Sequence, residues 1–218
     1  MNRTKDWASS SSNKKNKKLI SKYSHGLSLD AGCGKGVYFD SFKGEVIGLD
    51  ITLSFLREAK GQKSLILGDV RYLPFRERIF DFVLCSEVIE HIEEYEGKKA
   101  MRELERVAGG RIEVDTPNSG FWPELLRFLV FRKPYKRSLP TNPSPLLHHS
   151  SWTAKKSKLE GFDVRGCLGW VTRERIKIQF LCDLYDALVW YIPWLAGTII
   201  GIKYVRTHVR YKEDSIIV

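Results

Sequence analysis

The stretch Leu27-Ser28-Leu29-Asp30-Ala31-Gly32-Cys33-Gly34-Lys35-Gly36-Val37 sets an acid near the end of an apolar run and three alternate glycines after it. A backbone without Cβ atoms can close tightly around a ligand, and N–H groups at the start of a following helix favour anionic or polar groups. A dinucleotide-binding turn would read G-x-G-x-x-G. Here the third glycine, Gly36, comes one position early and Val37 takes its slot, which disfavours a nicotinamide oxidoreductase. Two further acids end later apolar runs: Asp50, 18 residues past Gly32, and Asp69 in Gly68-Asp69-Val70. In α/β folds of this kind an acid in the first of these positions reaches a pair of ribose hydroxyls. The segment Phe80-Asp81-Phe82-Val83-Leu84-Cys85-Ser86-Glu87-Val88-Ile89-Glu90-His91 then runs from an apolar stretch into a polar loop. If the apolar runs are strands, their polar ends gather at one sheet edge, where open α/β folds bind ligands.

The elements that must position these residues alternate. Apolar runs predict strands at Leu27–Ala31, Val46–Leu49, Leu65–Leu67, Phe80–Cys85 and Arg111–Val114. Helical patterns fall at Val37–Phe42, Leu53–Ala59 and Tyr95–Val107. Strand and helix in alternation, with strands that read as buried, imply a parallel sheet covered by helices on both faces. After Pro117 the chain reads as a helix at Phe121–Phe131, a loop marked by Pro134, Pro140, Pro143 and Pro145, and a helix at Trp152–Glu160. A strand at Phe162–Trp170, a helix at Glu174–Tyr191 and a strand at Thr198–Val205 follow. A loop that long inside a compact domain is usually a binding loop or lid, here placed at about 119–151.

Composition sets outer bounds. With 218 residues, 43% hydrophobic and 28% charged, the chain fits one folded domain, placed at 23–218. Residues 1–22, polar and lysine-rich, are expected to form a basic disordered tail. The net charge of +10 divides into +6 over residues 1–22, −4 over 23–115 and +8 over 116–218, so the acidic first half and the basic parts suit different partners. Cys33, Cys85, Cys167 and Cys182 lie far apart without clustered histidines, which predicts neither a disulfide scaffold nor a metal site. The N-terminus carries no apolar signal core, and a cytoplasmic location is expected. The uncharged run Ala187–Ile202, 16 residues interrupted by Pro193, Gly197 and Gly201, is too short to span a bilayer and reads as a helix end followed by a strand.

D-x-G-x-G-x-G, G-L-D, G-D-V and F-D-x-V-x-x-x-E-V-I-E-H, in that order, resemble the class I S-adenosylmethionine-dependent methyltransferases, especially the small-molecule "type 11" branch. The resemblance covers about Leu27–Asn118 and, more weakly, Val114-Asp115-Thr116-Pro117-Asn118 and His149-Ser150-Ser151-Trp152-Thr153. It implies a Rossmann-like three-layer αβα sandwich with a seven-stranded mixed sheet, the strand at Thr198–Val205 entering antiparallel beside Arg111–Val114. It also implies S-adenosyl-L-methionine as cofactor. Asp30 and the amides around Gly32, Gly34 and Gly36 would face the methionine moiety. Asp50 would accept both ribose hydroxyls, with Ile51 as a neighbouring contact. Asp69 would take the adenine amino group and the Val70 amide a ring nitrogen. Ser86 would border the methyl channel and His91 would pack beside the cofactor. Cys33 reads as small filler rather than a nucleophile. Replacing Asp50 is expected to weaken cofactor binding and barely change stability.

For a hydroxyl acceptor a general base is needed, and His149, then His148, are the candidates. Arg127, Arg132, Lys133, Lys136 and Arg137, interleaved with Phe128, Phe131 and Tyr135, suit an anionic amphiphile, which predicts O-methylation of a small or lipid-linked acceptor. Two alternatives stand beside it. One is an RNA methyltransferase, supported by the Lys14–Lys18 cluster and the basic second half, and the other is a non-catalytic protein that keeps the cofactor pocket.

Overall fold

The computed structural model describes residues 11–59, 61, 64–118, 150–167, 179–196 and 198–205. The predicted helix at Phe121–Phe131, the Pro-rich loop and the basic cluster at 127–137 lie outside them. Seven strands form one sheet: β1 (Ser28–Ala31), β2 (Val46–Asp50), β3 (Ser64–Leu67), β4 (Phe80–Ser86), β5 (Ala108–Pro117), β6 (Asp163–Cys167) and β7 (Thr198–Tyr204), in the order β3-β2-β1-β4-β5-β7-β6. Strands β1 to β5 pair in parallel, whereas β7 runs antiparallel between β5 and β6. Its register sets Arg111 opposite Tyr204 and Pro117 opposite Thr198, as the resemblance implies. The order reverses between β1 and β4, so the loops leaving those two strands part and open a crevice.

Side chains of β4 show how the sheet is covered. Phe82 and Leu84 point to one face, where they meet Ile20, Phe39 and Phe42, while Val83 and Cys85 point to the other among Ala100, Met101 and Leu104. The second face is covered by α3 (Glu94–Val107), numbered after α1 (Ser11–Tyr23) and α2 (Leu53–Glu58). Ala100, Met101, Leu104 and Val107 repeat along α3 at helical spacing and are buried, with Glu94 and Glu96 in its first turn and Arg106 in its last, as the helix dipole favours. Beside it a short helix, α4 (Ala154–Leu159), brings in Trp152, 1% exposed. A Cβ on Gly97 would lie 3.1 Å from the Trp152 ring, so the glycine is what lets the indole seat against α3. The last α-helix among the described residues, α5 (Gln179–Tyr191), packs on β6 and leads through a 3-10 turn at Pro193–Leu195 into β7. The apolar run Ala187–Ile202 is thus a helix end and a strand, and no helix among the described residues is long and apolar enough to cross a membrane.

Three expectations need correction. Residues 11–22 do not form a disordered tail: Ser11–Tyr23 is a helix, because Asn13, Asn16 and Ile20 recur on one face and are buried. Polar composition concealed that face. The helix expected at Val37–Phe42 shrinks to a 3-10 turn at Phe39–Ser41. Gly32, Gly34 and Gly36 all take positive φ (82°, 53° and 74°), and the chain spends those residues turning rather than starting a helix. Strand β5 begins at Ala108, not Arg111. At Gly109 and Gly110 a Cβ would come within 2.5 Å of the Arg78 carbonyl or 2.2 Å of the Asp81 carbonyl, so the two glycines permit close passage beside the irregular start of β4.

Candidate active site

The crevice is a cavity of about 760 Å³ above the C-terminal ends of β1, β2 and β4. Two turns build its floor. The Gly32 and Cys33 amides both donate to the Leu49 carbonyl (2.7 and 3.0 Å), pinning the β1 turn to β2. The Gly34 amide donates to Asp50 Oδ2 at 2.8 Å and the Thr52 amide to Asp50 Oδ1 at 2.7 Å. One carboxylate therefore orders both loops, and each of its oxygens keeps acceptor capacity for a ligand hydroxyl.

Asp30, Gly32, Gly34, Asp50, Ile51, Asp69, Val70, Ser86 and His91 all line the cavity. Gly36 does not. A Cβ there would stand 2.4 Å from the Phe39 ring, so Gly36 serves the turn and the packing beneath it. His148 and His149 lie outside the described residues. The chain is next described at Ser150, whose amide donates to the Glu90 carbonyl and whose hydroxyl donates to the Ile89 carbonyl, both at 3.0 Å. Cys33 is buried, and burial followed by the nearby Asp30 and Asp50 carboxylates raises its thiol pKa, which suits filler and not a nucleophile.

Electrostatics divide the cavity. Asp30, 1% exposed, is pushed up to about 8 by burial, then by Asp50 and Asp115, and its Oδ2 has no hydrogen-bond partner among the described residues. At Asp69 burial is outweighed by Arg71, which donates from its backbone and side chain (Nε to Oδ1 and Oδ2, each 2.9 Å) and holds the carboxyl below the usual range. Arg71 also reaches Glu96 Oε2 at 3.0 Å, tying this rim to α3.

A polar cluster that sequence reasoning missed closes the inner wall. Ser86 Oγ donates to the Tyr38 hydroxyl at 3.1 Å, and Asn16 Nδ2, from α1, donates to the same oxygen at 3.3 Å. Ser86 and Asn16 also act on the buried Asp115 carboxylate, offsetting part of the burial that raises it to about 6. Glu87 sits at φ 54°, its carboxyl raised by burial and by Glu90, while Glu90 is held at about 8, mainly by burial, and accepts from Thr116 Oγ1 at 3.0 Å. The sequence signalled Ser86, Glu87 and Glu90 through the Phe80–His91 motif and Asp115 through Val-Asp-Thr-Pro-Asn, but not their meeting with Tyr38 and Asn16. Tyr38 and Asn16 stood in stretches read as helix face and tail.

Residues 29–112 match a family described as a methyltransferase domain. That segment, less than half of the chain, is similar to S-adenosylmethionine-dependent methyltransferase domains. It is 33% identical over 114 residues to an uncharacterized protein of Methanocaldococcus jannaschii, a match covering 50% of this chain and 49% of that one. It is 32% identical over 105 residues to a malonyl-[acyl-carrier protein] O-methyltransferase of Pseudescherichia vulneris, covering 44% and 41%. These matches thus span less than half of each relative's length. The fold superimposes on a small RNA methyltransferase, HEN1, with TM-score 0.60 and 20% identity, over 94% of this chain and 26% of that one.

The family's cofactor is S-adenosylmethionine, and the residues present fit it. A buried Asp30 carboxylate oxygen without a partner among the described residues suits a cationic group, Asp50 offers two oriented acceptors, and a Cβ at Gly32 would strike Val88 at 2.3 Å in the cavity wall.

Proposed function

We propose that this chain O-methylates a small or lipid-linked acceptor that carries negative charge, using S-adenosylmethionine. The observation that carries the reading is the cavity at the β1/β4 reversal, with Asp30 and Asp50 as its two acidic anchors. The cofactor supplies an activated methyl group on a sulfonium, so the protein has to bind, orient and exclude water. Asp30 pairs with the donor's ammonium, beside the Gly32 and Gly34 amides. Asp50 accepts the ribose hydroxyls and Ile51 covers the sugar. Asp69 shares its carboxylate between Arg71 and the adenine amino group, and the Val70 amide meets the ring. Ser86 and His91 border the methyl end.

An acceptor carboxylate needs no base, since it meets the methyl carbon as an anion. A hydroxyl does, and His149, directly before the anchored Ser150, or else His148, would take its proton. Acceptor charge is supported by the net +8 of residues 116–218 and by the relative that methylates malonyl-[acyl-carrier protein]. An RNA acceptor is the second reading, favoured by the likeness to the small RNA methyltransferase and by the lysines of α1.

The test incubates the protein with methyl-labelled cofactor and separate metabolite, lipid and RNA fractions. Label entering an anionic metabolite or lipid supports the proposal. Label confined to RNA replaces it with the second reading, and no transfer despite cofactor binding points to a non-catalytic binding protein.

A further inference from the structure

The two helices on the α1 face of the sheet come from opposite ends of the described chain and meet beside β6. The Lys15 ammonium sits 4.8 Å from the centroid of the Trp190 ring and reaches the Gly166 carbonyl at 3.5 Å. Leu19 of α1 and Trp190 of α5 pack against the same cluster of Cys167, Ile200 and Ile202. Positions 15, 18 and 22 share one side of a helix, so exposed Lys18 and Lys22 continue the flank that Lys15 starts. On α5, Leu184, Ala187, Leu188 and Tyr191 follow the i, i+3, i+4, i+7 spacing and are all exposed, Tyr191 at 74%. Ala187 lies one turn before Trp190, so the end of this apolar stripe is on the turn of α5 that Lys15 touches.

We propose that α1 and α5 together form a docking surface for an anionic lipid bilayer. The stripe would enter the headgroup boundary with Tyr191 at the interface, and the lysines would meet lipid phosphates. Charge decides the occupant: a row of like-charged lysines beside the stripe disfavours a second copy of this chain. The stripe is mostly aliphatic, with one aromatic ring, whereas single-stranded nucleic acid calls for several stacking aromatics. No helix among the described residues crosses a membrane, so attachment would be peripheral. The inference goes beyond the proposed reaction and holds for any acceptor. Because Asn16 of α1 bonds Tyr38 in the cavity wall, the surface and the site share one helix.

Co-sedimentation of the full chain with phosphatidylcholine vesicles, with and without one-quarter phosphatidylglycerol, tests it without any turnover assay. The wild type should bind the anionic vesicles at least tenfold more tightly, and 0.5 M salt should abolish most of that difference. Lys18→Glu with Lys22→Glu, and separately Leu184→Ser with Leu188→Ser, should each weaken binding about tenfold or more, since each lysine near an anionic surface is worth about fivefold. S-adenosylhomocysteine binding should stay at the wild-type level in both variants. Equal binding to neutral and anionic vesicles, or none, overturns the proposal. So does loss from the lysine variant alone accompanied by loss of RNA binding, which would assign the row to nucleic acid. A monomer released from a dimer by the serine variant would assign the stripe to self-association and overturn it as well.

Discussion

Asp50→Ala should injure both the site and the fold. The carboxylate, 8% exposed, accepts the Gly34 and Thr52 amides at 2.8 and 2.7 Å and so joins the loops after β1 and β2. The expectation from sequence, that stability would barely change, overlooked these two bonds. At the low end for bonds to a charged group, about 1.5 kcal/mol each, the two bonds predict a loss of about 3 kcal/mol. For a domain of this size that is a drop in Tm of about 6–12 °C. Cofactor affinity should fall by a further ~1.5–3 kcal/mol, or about 10- to 150-fold, because the ribose loses a charged acceptor. Scanning calorimetry reads the first effect and titration with S-adenosylhomocysteine the second. Asp50→Asn, which keeps one amide acceptor, should fall between the two. An unchanged Tm would refute the loop-tying role, and wild-type affinity would refute the ribose assignment.

Gly36→Ala should cost more than Gly34→Ala. Both have positive φ, worth roughly 1–2 kcal/mol of strain with a Cβ, but only at Gly36 does the new atom also strike the Phe39 ring, adding ~1–3 kcal/mol; equal urea midpoints would contradict the packing argument. Asp30 is held near 8 when folded against an ordinary 3.8, so the folded state keeps a proton that the unfolded chain releases. The stability this group contributes is full below about pH 4 and is lost as pH rises towards 8, and Asp30→Asn should flatten the fall in Tm across that window; identical slopes would remove Asp30 as a cause. Trp152→Ala should destabilise by about 3–5 kcal/mol in urea, since the ring fills the space Gly97 leaves against α3; a loss under 1 kcal/mol would mean the site collapses freely.

Strands β2 and β4 were readable because each is a short, mostly apolar run, buried along nearly its whole length as central parallel strands must be. Where the reading failed, one residue type did two jobs. Asn13 and Asn16 are polar yet buried, so α1 looked like a solvated tail until Tyr38 supplied Asn16 with a partner 22 residues away. Gly36 was read as ligand-facing, when it serves the turn and makes room for the Phe39 ring. Nine cavity residues were found because strand ends share an edge, a rule that topology enforces. The Ser86–Tyr38 contact escaped because two side chains 48 positions apart meet through packing that no local pattern records.

The most direct test is an experimental structure of the protein with S-adenosylhomocysteine bound. The ribose hydroxyls should lie within hydrogen-bond distance of both Asp50 oxygens, the adenine beside Asp69 and Val70, and the ammonium against Asp30. A ligand bound elsewhere, or one in the cavity with its ribose away from Asp50, would contradict the assignment of this site.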